Sequence, residues 1–201
     1  MATKLLNPDK NLQAYVIGLA LGDGNLSNPN GRATRLRITC DTRYPFLISK
    51  ITNAVKTLLP GNRVSVEATP RKCVNISCYS NQWPILLGWN AFGGSKFKQE
   101  ASVPQWILKN KTYMKNCLIG LLETDGSVYY DRGYPMVMFV TIIPKLAKNV
   151  EYMFRVLGFE SKLYTIRKQK NPLNYNQQVL YHIRLSKNVD KFLKFIKLEK
   201  R

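Results

Sequence analysis

The sequence predicts an α+β fold in which one unit, helix–strand–strand–helix–strand–strand–helix, occurs twice as a pseudo-two-fold tandem repeat. Three observations carry this. Two apolar segments, VIGLALGDGN at 16–25 and LIGLLETDGS at 118–127, share a glycine, an aspartate and a second glycine at a constant offset of 102 positions. Each is followed by the same kinds of segment in the same order, and self-similarity at a fixed offset marks a repeated structural unit. The basic excess is spread over both halves, 13 basic against 5 acidic residues in 1–100 and 18 against 7 in 101–201.

Each apolar segment reads as a helix. In the first half a strand starts at Asn25 or Leu26 and turns in SNPNGRA, where Asn, Pro and Gly cluster. The returning strand RLRITC alternates, with Arg35, Arg37 and Thr39 on one face and Leu36, Ile38 and Cys40 on the other. Period-two alternation marks a half-buried strand, here with a basic exposed face. In the second half, SVYYDRGYPMVMFVT turns at Asp131–Arg132–Gly133. The offset of 102 maps Ile38 onto Val140 and Thr39 onto Thr141. A helix follows in each half, PFLISKITNAVKTLL and KLAKNVEYMFRVLG. Strand pairs come next: NRVSVEA with KCVNISCYS, and SKLYTIRKQ with QVLYHIRLS. The closing helices are NQWPILLGW and NVDKFLKFIK. The halves divide into 1–97 and 98–201, with a linker over 93–112 in which Pro104 can open a short helix.

The motif helices carry the chemistry. Gly18 and Gly22 lie one turn apart on a helix, as do Gly120 and Thr124, and small residues on one face let two helix backbones approach closely. Glycine costs about 1 kcal/mol relative to alanine inside a helix, so close contact is the purpose of keeping it twice. If the helices pack side by side, Asp23 and Asp125 meet at their C-terminal ends. Two carboxylates there face like charge and the negative ends of both macrodipoles. A divalent cation would resolve this, and carboxylates with neighbouring carbonyls suit Mg²⁺, a metal that assists phosphodiester hydrolysis. The alternative is that Asp-Gly simply ends a helix.

Composition narrows the partner. The chain of 201 residues carries 31 Lys+Arg and 12 Asp+Glu, a formal charge of +19. That field points to a polyanion. Cys40, Cys73, Cys78 and Cys117 form no C-x-x-C pair and there is one histidine, His182, so a zinc site is not expected and small buried hydrophobes are. No signal peptide or bilayer-length apolar run is read, so the expectation is a soluble intracellular monomer that does not engage membranes.

VIGLALGDG and LIGLLETDG resemble the two motifs that name the LAGLIDADG homing endonucleases in their single-chain form. VPQWILKNKTYMKNCLIGLLETDGSV resembles a run often found before and through the second motif. The resemblance covers nearly the whole chain. It implies two αββαββα halves with saddle-shaped antiparallel sheets in the DNA major groove, motif helices at the central interface, and cleavage of both strands leaving short 3′ overhangs. It carries the metal-binding and catalytic pair over as Asp23 and Asp125, with backbone carbonyls of Gly22 and Thr124. It implies Mg²⁺, with Mn²⁺ or Ca²⁺ able to substitute in binding. A catalytic lysine is expected after the last helix of the first half, at Lys96 or Lys98, with Lys98 preferred. The earlier acidic motif position is Leu21 in one copy and Glu123 in the other; Glu123 either pairs with a cation at the interface or is an ordinary helix-end acid. DNA contacts are expected from Asn25, Arg35, Arg37, Thr39, Arg71, Lys72, Asn75, Ser77, Tyr129, Arg132, Thr141, Arg167, Lys168, Gln178 and Arg184, since Arg and Lys suit guanine edges and Asn and Gln suit adenine. Asp41 and Glu67 can accept from cytosine or pair with arginine.

The leading expectation is a site-specific endonuclease acting on a long asymmetric duplex target, intron-encoded or free-standing, in a prokaryotic cytoplasm or an organelle matrix. An RNA-binding intron maturase and a catalytically inactive DNA-binding regulator are the alternatives. An inactive regulator should have lost one of the two acids. An intein-embedded nuclease is not expected, since no splicing segments flank the repeat.

Overall fold

A computed structural model describes residues 9–167 and 178–200. The first unit contains α1 (Lys10–Leu21), β1 (Gly24–Ser27), β2 (Arg35–Asp41), α2 (Pro45–Leu58), β3 (Val64–Ala68), β4 (Cys73–Tyr79) and α3 (Trp83–Leu87). A short helix α4 (Gln105–Leu108) leads into the second unit. That unit holds α5 (Lys111–Thr124), β5 (Gly126–Asp131), β6 (Tyr134–Thr141), α6 (Pro144–Val156), β7 (Ser161–Ile166), β8 (Leu180–Leu185) and α7 (Val189–Ile196). The sheets are antiparallel and four-stranded with equivalent orders, β1-β2-β4-β3 and β5-β6-β8-β7.

Local chemistry explains the boundaries. Asp9 accepts the Asn11 amide at the start of α1, and Asn110 accepts those of Thr112 and Tyr113 at the start of α5, which satisfies otherwise orphaned donors. Proline stands in the first turn of α2 and of α6, where its missing N–H costs nothing. The β5–β6 hairpin turns through Arg132 (φ 51°) and Gly133 (φ 84°), two left-handed residues whose twist matches that of the strands.

One face of each sheet packs on the helices. Leu36, Ile38 and Ile76 from the first sheet join Val137, Phe139, Ile183 and Leu185 from the second in one continuous core. That core is crossed by α1 and α5, which run side by side in the same direction and are buried along most of their length. Among the described residues no helix is long and apolar enough to cross a membrane.

The opposite, open faces are fixed by pairing register. On the first sheet one row across the strands is Asn25, Arg37, Ser77 and Ser65, and the next is Thr39, Asn75 and Glu67. On the second the matching rows are Ser127, Met138, Arg184 and Lys162, then Val140, His182 and Tyr164. This corrects the predicted alignment of the halves. Gly24 pairs with Ile38 but Gly126 pairs with Phe139, so the offset falls to 101 within β6. Ile38 corresponds to Phe139, and Thr39 to Val140. A one-residue slip moves every side chain to the other face. Thr141 therefore has the parity of core-facing Phe139, and its hydroxyl accepts the Ile143 amide just before α6.

Candidate active site

The site is built where the two motif helices end. A Cβ placed on Gly18 would lie 2.1 Å from the Cys117 carbonyl oxygen, and one on Gly120 would lie 2.3 Å from that of Tyr15. Only glycine permits such an approach. One turn further, a Cβ on Gly22 would fall 1.9 Å from Thr124 Oγ1 and 3.4 Å from Asp125 Oδ2. The predicted small-residue spacing thus brings the helices into contact and sets Asp23 and Asp125 side by side.

The two carboxyl groups are hydrogen-bonded to each other. Both keep one side open to solvent while protein crowds the other. Crowding and the Asp23 charge push the Asp125 carboxyl up to about 6, against the pull of Lys96 and Lys200. Asp23 is raised as well, chiefly by burial, and its bond from Asp125 works the other way. As pH falls, Asp125 is therefore the favoured site for the first proton the pair takes up.

Two lysines answer this charge in pseudo-symmetric positions. Lys96, after α3, donates from Nζ to the carbonyls of Ala20 (3.2 Å), Leu21 (2.7 Å) and Gly22 at the end of α1. Lys200, after α7, donates to Thr124 and Gly126 (3.2 Å) at the end of α5. Each ammonium thus caps a helix C-terminus, where positive charge is favoured. Burial pushes the Lys96 pKa down, opposed by Asp125 and Asp23. A cleft of about 190 Å³ opens beside Asp23, Thr39, Thr124 and Lys200, and one of about 320 Å³ beside Asp125, Val140, Leu180 and Lys96. Thr39 in the first cleft, and Val140 and Leu180 in the second, belong to the open sheet faces.

The donor set fits a divalent cation. The carbonyls of Gly22 and Thr124 already attract ammonium groups, and two carboxylates stand next to them. Among the described residues no three His, Cys, Asp or Glu side chains come together. Such a cation would be held by two carboxylates, backbone carbonyls, water and substrate, the arrangement Mg²⁺ tolerates well.

Comparison with known proteins bears on the fold. Residues 112–197 match the model of a LAGLIDADG-like domain. The whole fold is similar to I-DmoI in complex with DNA and Mn, with a TM-score of 0.66 and 16% identity over 93% of this chain and 96% of that one. It is also similar to full-length DUF199/WhiA from Thermatoga maritima, with a TM-score of 0.63 and 12% identity over 98% of this chain and 58% of that one. A tRNA-splicing ligase RtcB of Methanopyrus kandleri is 25% identical over 93% of this chain; the chain spans about a fifth of the length of that curated relative.

Within this architecture the expected residues divide. Lys98 is exposed and turned toward Gly94, so the lysine at the helix ends is Lys96 rather than the preferred Lys98. Lys200 was not anticipated, although it follows the last helix of its half as Lys96 does. Asn25, Arg35, Arg37, Thr39, Asn75 and Ser77 share the open face of the first sheet, with Ser77 buried between its neighbours. Arg71 and Lys72 form the β3–β4 turn and Arg132 the β5–β6 turn. Tyr129 and Arg184 lie on the open face of the second sheet, Arg184 at 3.5 Å from Asp131. Arg167 and Gln178 flank β7 and β8, and Lys168 lies outside the described residues. Thr141 has the parity of the core face, yet it lines the cleft beside Asp125. Asp41 is engaged by Arg43 at 2.8 Å, whereas Glu67 stays on the open face beside Asn75. The Arg37 Nε is buried without a partner among the described residues.

Glu123 pairs with a cation at the interface. Its carboxylate is fully buried and accepts from Tyr15 Oη (2.7 Å), Lys50 Nζ (2.7 Å) and the Glu199 amide (2.9 Å). Burial, and then the Glu123 charge, push the Tyr15 phenol well above its ordinary range. This network ties α5 to α1 and α2, and it fixes the segment that delivers Lys200. Glu123→Ala would leave three donors without their acceptor and should cost about 3 kcal/mol. Chemical denaturation would measure that loss, and a change within a few tenths of a kcal/mol would refute the role.

Proposed function

We propose that the protein is a site-specific endonuclease that hydrolyses both strands of duplex DNA with a divalent cation held between Asp23 and Asp125, leaving short 3′ overhangs. The observation that carries this reading is the pairing of two carboxylates at two helix C-termini, beside clefts that reach Thr39 on one open sheet face and Val140 and Leu180 on the other. A protein of charge +19 gains nothing in stability from concentrating negative charge there; a cation-dependent reaction does need it. Solved relatives of the same fold contain DNA with Mn or with Ca, which supports both the partner and the metal class.

A bound cation supplies charge neutralisation at the scissile phosphate. The chain's own groups do the rest. The open faces of the two sheets lie across successive stretches of major groove, where Arg37, in the row with Asn25 and Ser77, can bond a base edge or a phosphate. Lys96 and Lys200 bring one ammonium to each side of the carboxylate pair, where each can meet a phosphate oxygen of one strand. Leu21 faces Glu123 across the pseudo-two-fold, so the two sides are not equivalent and the strands should be nicked at different rates.

Incubation with a plasmid library of randomised inserts should give a linear product with Mg²⁺ and none with EDTA. Absence of any linear product with Mg²⁺ or Mn²⁺ would overturn cleavage, and specific binding without cutting would leave a DNA-binding regulator. Binding should also weaken steeply with salt, log K falling with log[salt] at a slope of about −0.9 per neutralised phosphate. A flat salt response would contradict the basic sheet as the DNA surface.

A further inference from the structure

The slip within β6 gives the two open faces different chemistry. Where the first sheet presents Arg35, Arg37 and Thr39, the second presents Met136, Met138 and Val140. The neighbouring strands continue the strip with Leu180 opposite Ile166 and with Tyr164, and His182 stands between Val140 and Tyr164. None of these residues of the second sheet belongs to the continuous core cluster, although Met136 is itself buried. Tyr164 is 45% and Ile166 41% exposed. Val140 and Leu180 reach the cleft that also holds Asp125 and Lys96, so the strip begins at the candidate active site.

A sheet face of this composition, left in water, costs solubility and invites association. Its surroundings indicate what covers it. Lys162 and Arg184 border Met138 in the same row, Arg132 stands at the hairpin tip and Arg167 follows β7. An apolar strip within a basic rim, continuous with the basic first sheet, matches a DNA major groove whose floor carries methyl groups. C5-methylpyrimidines alone present such a group there; guanine and cytosine present donors and acceptors that Met and Val would desolvate without replacing.

Resting on the endonuclease reading, we propose that the half-site under the second sheet is recognised through pyrimidine C5-methyl groups, contacted by Met138 and Val140. This half-site is therefore rich in A·T pairs, whereas the half-site under the first sheet is read by hydrogen bonds.

The test is selection of duplexes from a random library by the full chain in Ca²⁺, followed by methyl deletion. One half of the selected site should be A·T-rich. Arg37→Gln should alter base preference only in the other half. Replacing dT by dU in the A·T-rich half should weaken binding about fourfold per lost methyl, the transfer value of one methylene. The same replacement in the other half should have little effect. A 5-methyl-dC·dG pair should be better tolerated than dC·dG at these positions, which separates methyl recognition from A·T-dependent groove shape and distinguishes the two sources of the methyl. Met138→Gln, with its fold checked by thermal melting, should abolish the dU effect at one or two positions. Specific binding with no response to dU would overturn this proposal alone. Failure to bind any duplex would overturn the endonuclease reading with it. A dimer in sedimentation that Met138→Arg dissociates would assign the strip to a second copy of the chain and also overturn it.

Discussion

Asp125→Asn should lower Mg²⁺-dependent cleavage roughly a thousandfold, equivalent to about 4 kcal/mol of transition-state stabilisation, and should raise the melting temperature of the metal-free protein at pH 7.5. The two effects have one origin. Asp125 is pushed up to about 6 in the folded protein by crowding and by Asp23, against an ordinary value of 3.8. Well below pH 4 both folded and unfolded chains hold the proton, and this group costs nothing. Between about 4 and 6 the folded chain holds the extra proton, so stability falls as pH rises. Above 6 the full penalty of two adjacent carboxylates persists. Asparagine removes that penalty, so the gain over wild type should be present at pH 7.5 and should shrink as pH drops below 6. Affinity for divalent ions should fall over the same range, because protons compete for the same oxygens. Thermal melts of both proteins at pH 5 and 7.5 in EDTA, with cleavage rates measured alongside, check the claim. A variant less stable than wild type at pH 7.5 would show that the pair is not a strained site.

Features that obey a local rule could be read before the fold was known. The alternation of Arg35, Arg37 and Thr39 fixed which face of β2 is exposed. The one-turn spacing of Gly18 and Gly22, repeated by Gly120 and Thr124, placed the helix contact and with it the two aspartates. Other features depend on tertiary placement and left no periodic trace. Lys96 and Lys98 both follow α3, and only the path of the linker decides which reaches the Gly22 carbonyl. Glu123 finds Lys50 across 73 positions of sequence and Tyr15 across 108. The β6 slip was hidden because YPMVMFVT is apolar almost throughout, so no hydrophobic pattern pins its register and Val140 and Thr141 read alike. That same lack of alternation made the second open face apolar. The site where sequence reasoning misplaced a residue is therefore the one from which a base preference could be inferred.

Gly120→Ala should destabilise the protein by about 3 kcal/mol, near 10 °C in melting temperature for a chain of this size, and Gly18→Ala should do much the same. The sign is the informative part. Alanine is favoured over glycine in a helix interior by about 1 kcal/mol, so loose packing would make either change stabilising. At Gly120 the new methyl would lie 2.3 Å from the Tyr15 carbonyl oxygen and 2.7 Å from the Leu19 nitrogen, and at Gly18 2.1 Å from the Cys117 carbonyl oxygen. These are backbone atoms, which cannot rotate aside, so α1 and α5 must separate by roughly 1 Å to regain normal contact. Gly61→Ala, where nothing lies within 4 Å, serves as the neutral control. Separation of the helices also moves Asp23 from Asp125. A displacement near 1 Å can cost about a hundredfold in rate, so cleavage should fall even well below the variant's melting temperature, where the fold is intact. Loss of stability with full activity in the cold would mean that the helix contact serves folding alone. Loss of both would show that the glycines keep Asp23 and Asp125 close enough to act together.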